Sequence, residues 1–331
     1  MPIDVVPFGD TDQAAALSAY EIRGAGWRVT TPDMPYESAA HFLSGIRIPV
    51  PGEATERALA YLGGTPVGYL RLELPLLDNL QNAGGVLWVD PAYKRRGVGR
   101  ALWTYATDRL RALGRKRITV ESLDSPEATG FAAAVGAAAA LREARSRLDV
   151  AAADQQRLDA MLAVAWTHAE GYRLIHWEGV PPERYIDDVA YLDSRFVTDA
   201  PMGDLEWEAE SIDADRVRKH EQRWLDRGVD RYHSGMVHAG SDRLVAWTTL
   251  SGSADTPAHM FQHITLVDPP HRGHRLGVVV KLGNLAFARE HRPQLAAIDT
   301  WNATSNEYML AINRAMGFRA VDTWVEWQGT V

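Results

Sequence analysis

The chain of 331 residues is long enough for two domains of ordinary size, each with its own core. It contains no cysteine, which excludes disulfides, thiolate metal ligands and thiol nucleophiles and is compatible with the cytoplasm, where we expect the protein to act. The net charge of −8 argues against a nucleic-acid-binding protein. The sequence has no signal-peptide pattern, and no apolar run approaches the roughly 20 residues of a membrane span. We therefore expect no membrane partner.

Each half of the chain begins its predicted sheet with a hairpin. In residues 58–75 a Gly-Gly-Thr-Pro turn separates two apolar strands, and in residues 232–252 a Gly-Ser-Asp turn does the same. A third strand follows in each half and ends in Val-Asp-Pro, at 89–91 and again at 267–269. This internal repeat predicts two domains of the same architecture.

Each Val-Asp-Pro turn leads into an amphipathic helix, and the order of elements then continues alike in both halves. In the first of these helices Leu102, Ala106 and Leu110 fall on one face, and Gly114 is a C-terminal stop signal. A strand, a shorter helix that ends in glycine and a closing strand complete each half. The predicted segments are strands 117–123 and 145–150 around a helix ending at Gly136, and strands 295–301 and 318–328 around a helix ending at Gly317.

Each half thus has the element order hairpin, strand, helix, strand, helix, strand. This order is typical of a mixed α/β (α+β) fold, in which one sheet contains both parallel and antiparallel strands. We therefore predict two tandem domains, residues 1–150 and 172–331, each a central mixed β-sheet flanked by helices. Residues 151–171 have a helical pattern and are predicted to link the halves.

The loop between each Val-Asp-Pro turn and its helix is basic and rich in glycine. A helix N-terminus presents unpaired N–H groups and a partial positive charge that attract phosphate, glycine lets the backbone approach a ligand, and Arg and Lys add charge. Neither a dinucleotide-binding fingerprint nor a Walker loop fits the spacing. Two copies in the same context favour a pyrophosphate site over a solvated turn. The residues of the first copy are Lys94, Arg95, Arg96, Gly97, Val98, Gly99 and Arg100.

These residues resemble the signature of the GNAT-type N-acetyltransferases, [Gln/Arg]-x-x-Gly-x-[Gly/Ala] between a strand and a helix, with Lys94 in the Gln/Arg place. A second family element, an Asn that precedes a helix ending in Gly-Phe, matches Asn306 and Gly317-Phe318. The resemblance covers nearly the whole chain as two tandem copies, like two-domain actinobacterial GNAT proteins. It implies acetyl-CoA, or another acyl-CoA, as co-substrate, and no metal.

The resemblance also implies cofactor-binding residues in both halves. In the family, a backbone N–H of the strand before the loop stabilises the oxyanion, which places Val89, Leu266 and Val267 beside the thioester. Asn306 would contact the pantetheine arm, although a helix cap is the simpler interpretation. In the second loop Arg275 replaces the central glycine and would either block the phosphate or add a cation to it. That loop consists of Arg272, Gly273, His274, Arg275, Leu276 and Gly277.

The family reaction is the direct attack of an amine on the thioester. A simple alkylamine with a pKa near ~10 is protonated at pH 7, so a base must take its proton. His263 is the candidate base of the second half, although a histidine on a strand is more often structural. In the first half Glu73 and Glu121 are the two options, and we take Glu121, although such a carboxylate is more often solvated or in a salt bridge. The tyrosine that serves the family as general acid is replaced by Ala132 in one half and Asn313 in the other.

We expect an acetyl-CoA-dependent N-acetyltransferase acting on a small amine, such as an antibiotic, an amino sugar or an amino acid, because an acidic protein attracts cations. The first half has the better cofactor loop and the second the better catalytic strand, so we expect binding in the first and transfer in the second. The alternatives are a non-catalytic acyl-CoA-binding or regulatory protein, an acyl-CoA hydrolase, and a peptide or protein N-acetyltransferase. A monomer or a homodimer is expected.

Overall fold

A computed structural model describes residues 2–331, and the chain divides into two compact units. Unit 1 contains the residues up to Arg142 together with Met202–Glu208 and Thr323–Val331. Unit 2 contains Glu143–Pro201 and Ala209–Asp322. The closing strand of each half of the sequence therefore contributes residues to the unit of the other half.

The hairpins, strands and helices that the repeat predicts occur in the expected order, and further elements precede each repeat. The strands are β1 (Ile3–Phe8), β2 (Glu53–Leu62), β3 (Thr65–Pro75), β4 (Asn82–Val89), β5 (Arg117–Leu123), β6 (Ala137–Asp149), β7 (Tyr172–Glu178), β8 (Val229–His238), β9 (Arg243–Ser253), β10 (His259–Val267), β11 (Ala297–Ala303) and β12 (Arg319–Thr330). The helices are α1 (Gln13–Thr30), α2 (Ala39–Arg47), α3 (Val98–Ala112), α4 (Pro126–Val135), α5 (Gln155–Trp166), α6 (Ile186–Ser194), α7 (Phe196–Asp199), α8 (Ala214–Asp226), α9 (Leu276–His291) and α10 (Glu307–Met316).

Both units contain a mixed sheet with the same pattern of pairing. In unit 1 strands β1 to β4 pair antiparallel in sequence order, β4 pairs parallel with β5, and β5 pairs antiparallel with the Trp324–Thr330 part of β12. In unit 2 strands β7 to β10 pair antiparallel, β10 pairs parallel with β11, and β11 pairs antiparallel with residues 143–149 of β6. The mixed α/β fold predicted from the sequence is confirmed in each unit.

The sheet of unit 1 is covered by helices on both faces, because successive strand residues point to opposite sides. Leu70 and Leu72 of β3 belong to a core cluster that includes Leu102 and Leu110 of α3, whereas Tyr69 of β3 packs with α1 and α2. A fully buried leucine stabilises a fold by about 1.5–3 kcal/mol, so α3, the helix that follows the basic loop, is firmly held in place.

Unit 2 has the same arrangement, with α9 and α5 in one core cluster and α6 and α8 near another. The segment predicted as a helical linker contains α5, whose Leu158 and Ala165 are buried in the α9 cluster. The sequence pattern gave no assignment for β1, α1, α2 or α6 to α8. No helix within residues 2–331 is long and apolar enough to cross a membrane.

Candidate functional site

The two parallel strands of each unit separate partway along their length. In unit 1, β4 and β5 pair only from Asn82 and Arg117 to Gly85 and Val120, although both strands continue. In unit 2, β10 and β11 pair only as far as Gln262 and Thr300. Beyond these points the facing backbone groups do not pair across the gap, so their N–H and C=O groups can bind an extended ligand.

Strand β10 differs from its counterpart β4 by a bulge at the start of the gap. The pairing of β10 with β9 shifts between Gln262 and Thr265, where β10 has one residue more than β9. By contrast, β4 pairs with β3 in an unbroken register from Gly84 to Val89. A bulge bends a strand and changes the direction of its side chains, and His263 lies within this one.

The two basic loops share one backbone conformation although their glycines stand at different places. In the first loop Arg95 (φ 61°) and Gly97 (φ 89°) are left-handed, and in the second Gly273 (φ 87°) and Arg275 (φ 54°) are left-handed. Gly97 and Arg275 are the N-cap residues of α3 and α9. The second loop therefore keeps its path without the central glycine, even though a left-handed non-glycine residue costs about 1–2 kcal/mol.

Both helix N-termini are suited to an anion. No side chain caps α3 or α9, but in α9 the Val278 N–H donates to the Arg275 carbonyl at 3.0 Å, so α9 offers an anion fewer first-turn N–H groups than α3. Arg95 and Arg275 are exposed and form no ion pair within residues 2–331. Two other loop cations have partners: Lys94 pairs with Glu127 at 3.0 Å, and Arg272 pairs with Asp199 at 3.2 Å. These groups fit the diphosphate of an acyl-CoA in either unit.

The side chain of the predicted base His263 is exposed to solvent on β10 of unit 2. Its Nε2 lies 2.5 Å from the Ser251 hydroxyl, and its Nδ1 has no partner in the described part of the chain. Desolvation by the surrounding protein, reinforced by the Arg231 cation, lowers the pKa of His263. The imidazole is therefore neutral at pH 7 and can accept a proton.

A buried ionic cluster near His263 was not predicted from the sequence. Arg231 donates to Glu221 at 2.8 Å, and His233 Nε2 lies 3.4 Å from the same carboxylate. Trp247 donates to Nδ1 of His233 at 3.2 Å, which directs the imidazole proton to Nε2 and toward Glu221. Burial raises the pKa of Glu221, but His233 and Arg231 outweigh it and bring that pKa down to about 2. The only sequence signal was an acidic residue on a helix face, which is usually solvated.

The other candidate residues fall in separate places. Glu121 is exposed in unit 1, one residue beyond the end of the β4–β5 pairing and opposite Glu326 on β12. Leu266 and Val267 lie at the end of β10, as Val89 does at the end of β4. His263 lies on the strand that leads into the second loop, and Glu121 lies on β5 in the unit that contains the first loop.

The side chains at the positions of the family's general acid, Ala132 and Asn313, and of its pantetheine contact, Asn306, have structural roles. Asn313 is 1% exposed and donates to Asn302 at 2.7 Å, and Ala132 is also buried. Asn306 caps α10, because its Oδ1 accepts from the Met309 N–H at 3.2 Å. The amide N–H groups of Asn306 have no partner in residues 2–331, which leaves them available to a ligand.

Comparison with known proteins agrees with this geometry. The model of the acetyltransferase (GNAT) family matches residues 18–137. A solved tandem GNAT protein from the clavulanic acid biosynthesis pathway is 28% identical, with a TM-score of 0.82, and the match covers 99% of this chain and 98% of that one. No curated protein matches the chain.

More distant solved structures show the same fold. A GCN5-related N-acetyltransferase from Sphaerobacter thermophilus is 14% identical, with a TM-score of 0.63, and the match covers 99% of this chain and 95% of that one. A putative acetyltransferase from Pyrococcus horikoshii is 15% identical, with a TM-score of 0.56, and the match covers 99% and 89% of the two chains.

Proposed function

We propose that this chain, which is a tandem member of the GNAT acetyltransferase family and an acyltransferase, transfers the acetyl group of acetyl-CoA to a small-molecule amine in unit 2. The observation that carries the proposal is the neutral His263, whose unpartnered Nδ1 lies in the bulge where β10 and β11 separate. The same strand leads directly into the second anion-binding loop.

In the proposed reaction a few groups of unit 2 have separate chemical roles. The amine nitrogen attacks the thioester carbonyl carbon, and Nδ1 of His263 accepts the proton that the nitrogen loses. The unpaired edge of β10 near Leu266 and Val267 donates a backbone N–H to the oxyanion. The carbon–sulfur bond then breaks, and the CoA thiolate takes a proton from water because Asn313 supplies none. The proton that His263 accepted is released and neutralises the hydroxide that remains. The products are an amide and free CoA.

Unit 1 has a complete anion loop but a poorer catalytic strand. Its β4 has no bulge, and the base that we assign there, Glu121, lies on the neighbouring strand β5. We therefore assign to unit 1 the binding of acetyl-CoA without turnover. The buried Ala132 and Asn313 favour a second function for the whole chain, a non-catalytic acyl-CoA-binding protein, because neither can protonate the leaving thiolate.

The two N-cap positions allow a matched test of cofactor binding. Gly97→Asp and Arg275→Asp each place a carboxylate at the left-handed N-cap of one loop, a conformation that Asp and Asn tolerate. We expect each Asp variant to remove one equivalent of acetyl-CoA binding in calorimetry, because the carboxylate repels the diphosphate. The neutral controls Gly97→Asn and Arg275→Asn should bind in that unit within several-fold of the wild type. A wild-type chain that binds no acetyl-CoA would refute the enzyme proposal.

His263 and Glu121 allow the catalytic unit to be identified. We expect His263→Ala to lower kcat by about 10²-fold, the lower end of the range for a general base, with acetyl-CoA binding unchanged. Release of the CoA thiol with a panel of primary amines is the measurement. Glu121→Ala is the control in unit 1 and should leave kcat within twofold of the wild type. If Glu121→Ala has the large effect and His263→Ala does not, transfer takes place in unit 1.

A further inference from the structure

Unit 2 contains a half-open pocket whose wall residues have no role in the proposed chemical steps. It has a volume of about 280 Å³ and lies among α6, α7 and α8, where its walls include Asp193, Phe196, Val197, Ile212, Val217 and His220. A water molecule occupies roughly 30 Å³ of liquid, so the pocket has room for a small organic molecule.

Asp193 is the unusual member of this wall. Its side chain is partly buried, and its carboxylate forms no hydrogen bond or ion pair within residues 2–331. The neighbouring cations already have carboxylates of their own, since Arg216 pairs with Glu210 and Arg231 with Glu221. A poorly solvated carboxylate without a cation is unfavourable, so the pocket is complementary to a positive ligand.

Charge and shape together define the class of ligand. Two carboxylates, Asp193 and Glu210, face one guanidinium, Arg216, so these three groups give the pocket a net negative charge. Burial, and next the charge of Glu210, raises the pKa of Asp193 to about 6, which leaves the carboxylate mostly ionised at pH 7. Phe196 is 41% exposed and offers a ring face to a cation. The apolar walls would add nothing to the binding of a hydrated metal ion.

We propose that this pocket binds an organic ammonium ion whose charge pairs with Asp193 and whose apolar part packs against Phe196 and Ile212. Helix α8 forms part of the pocket wall, and its Glu221 pairs with Arg231 at 2.8 Å. Arg231 lies opposite Ser251 on β9, whose hydroxyl contacts His263, so these contacts connect the pocket wall to the catalytic strand. The ligand is either the amine acceptor, in which case this inference rests on the proposed function, or a separate effector of the same chemistry.

A non-acetylatable probe tests the pocket independently of catalysis. With the full chain at pH 7.5, we expect benzyltrimethylammonium to bind in calorimetry and the neutral benzyl alcohol to bind at least tenfold more weakly. Asp193→Asn should weaken binding of the cation at least tenfold, and Phe196→Ala several-fold. Asp187→Asn is the matched control, because Asp187 is an exposed residue of the same helix outside the pocket. Absence of binding to the wild type, or equal binding to Asp193→Asn, would overturn the proposal.

Two further measurements keep the outcomes distinct. Asp193→Asn removes an uncompensated charge, so the melting temperature of this variant should equal or exceed that of the wild type. If Asp193→Asn does not fold, Phe196→Ala supplies the test of binding. If the ligand is the acceptor, Asp193→Asn raises the KM for the amine and leaves the KM for acetyl-CoA unchanged. If the probe binds through Asp193 but the amine KM is unchanged, the pocket holds an effector. If the probe binds and no amine is acetylated, the proposed function fails and the pocket stands.

Discussion

Replacement of Lys281 by methionine is expected to raise the free energy of unfolding at pH 7 by about 3–5 kcal/mol. Lys281 lies in α9 and is 2% exposed, and it has no hydrogen bond or ion pair in the described part of the chain. Its nearest favourable partner is the ring of Phe318, 5.6 Å from the Nζ atom. Burial lowers the pKa of Lys281 to about 7, more than three units below the value near ~10.4 of a solvated lysine. Methionine fills a similar volume without the charge.

The same shift makes stability depend on pH in a defined direction. Between pH 7 and about 10.4 the unfolded chain binds a proton at Lys281 that the folded chain does not bind, so the free energy of unfolding rises with pH across this window. Below pH 7 the contribution of Lys281 no longer changes. Lys281→Met should remove this rise in urea unfolding at pH 7, 8.5 and 10.

Lys219→Met is the matched control for this experiment. Lys219 is an exposed residue of unit 2 that pairs with Asp215, and surface pairs of this kind contribute little. Its replacement should change the unfolding free energy by less than about 1 kcal/mol and leave the pH dependence as it is. A Lys281→Met chain less stable than the wild type would mean that the ammonium has a stabilising partner.

The sequence predicted the parts of the fold that local patterns encode. The hairpins, the strands that end in Val-Asp-Pro, α3 with its stop at Gly114 and the shorter helices that end at Gly136 and Gly317 follow from periodicity and glycine alone. The exchange of the closing strands does not, because an alternating pattern specifies which face of a strand is buried and not which strand it pairs with. Strand β1 was also not predicted, because it is short and its sequence pattern resembles that of a loop.

The candidate site likewise contains residues that could be predicted from the sequence and residues that could not. His263 was identified because it stands on the strand before a recognisable loop, and that strand is where the structure has it. The roles of Glu221, His233 and Asp193 could not be predicted, because burial of an ionisable side chain is a property of tertiary packing. The sequence predicts that Arg275 either adds a cation or blocks the phosphate. It takes up the left-handed conformation in place of glycine, a cost that the sequence does not reveal.

Replacement of Asp299 by alanine is expected to lower the free energy of unfolding by about 3–5 kcal/mol, as when one partner of a buried ion pair is removed. Asp299 is fully buried on β11 and accepts from Arg147 at 2.6 and 2.7 Å, from Arg145 at 3.2 Å and from His259 at 3.1 Å. Burial raises the pKa of Asp299, but hydrogen bonds from Arg147 and His259 outweigh it and lower the pKa to about 2. Because Asp299 lies one residue before the end of the β10–β11 pairing, the loss should also loosen the start of the gap.

The sign of the pH dependence distinguishes this network from ordinary surface charge. Since the folded pKa of Asp299 lies below the unfolded value, its stabilisation is present above about pH 4 and is lost as the pH falls toward 2. Asp299→Ala should lack this loss in acid-induced unfolding. Glu183→Ala, which removes the exposed partner of Arg218, is the control and should cost less than about 1 kcal/mol. Equal costs for the two variants would show that the Asp299 network contributes no more than a surface pair, and the gap between β10 and β11 would then need another support.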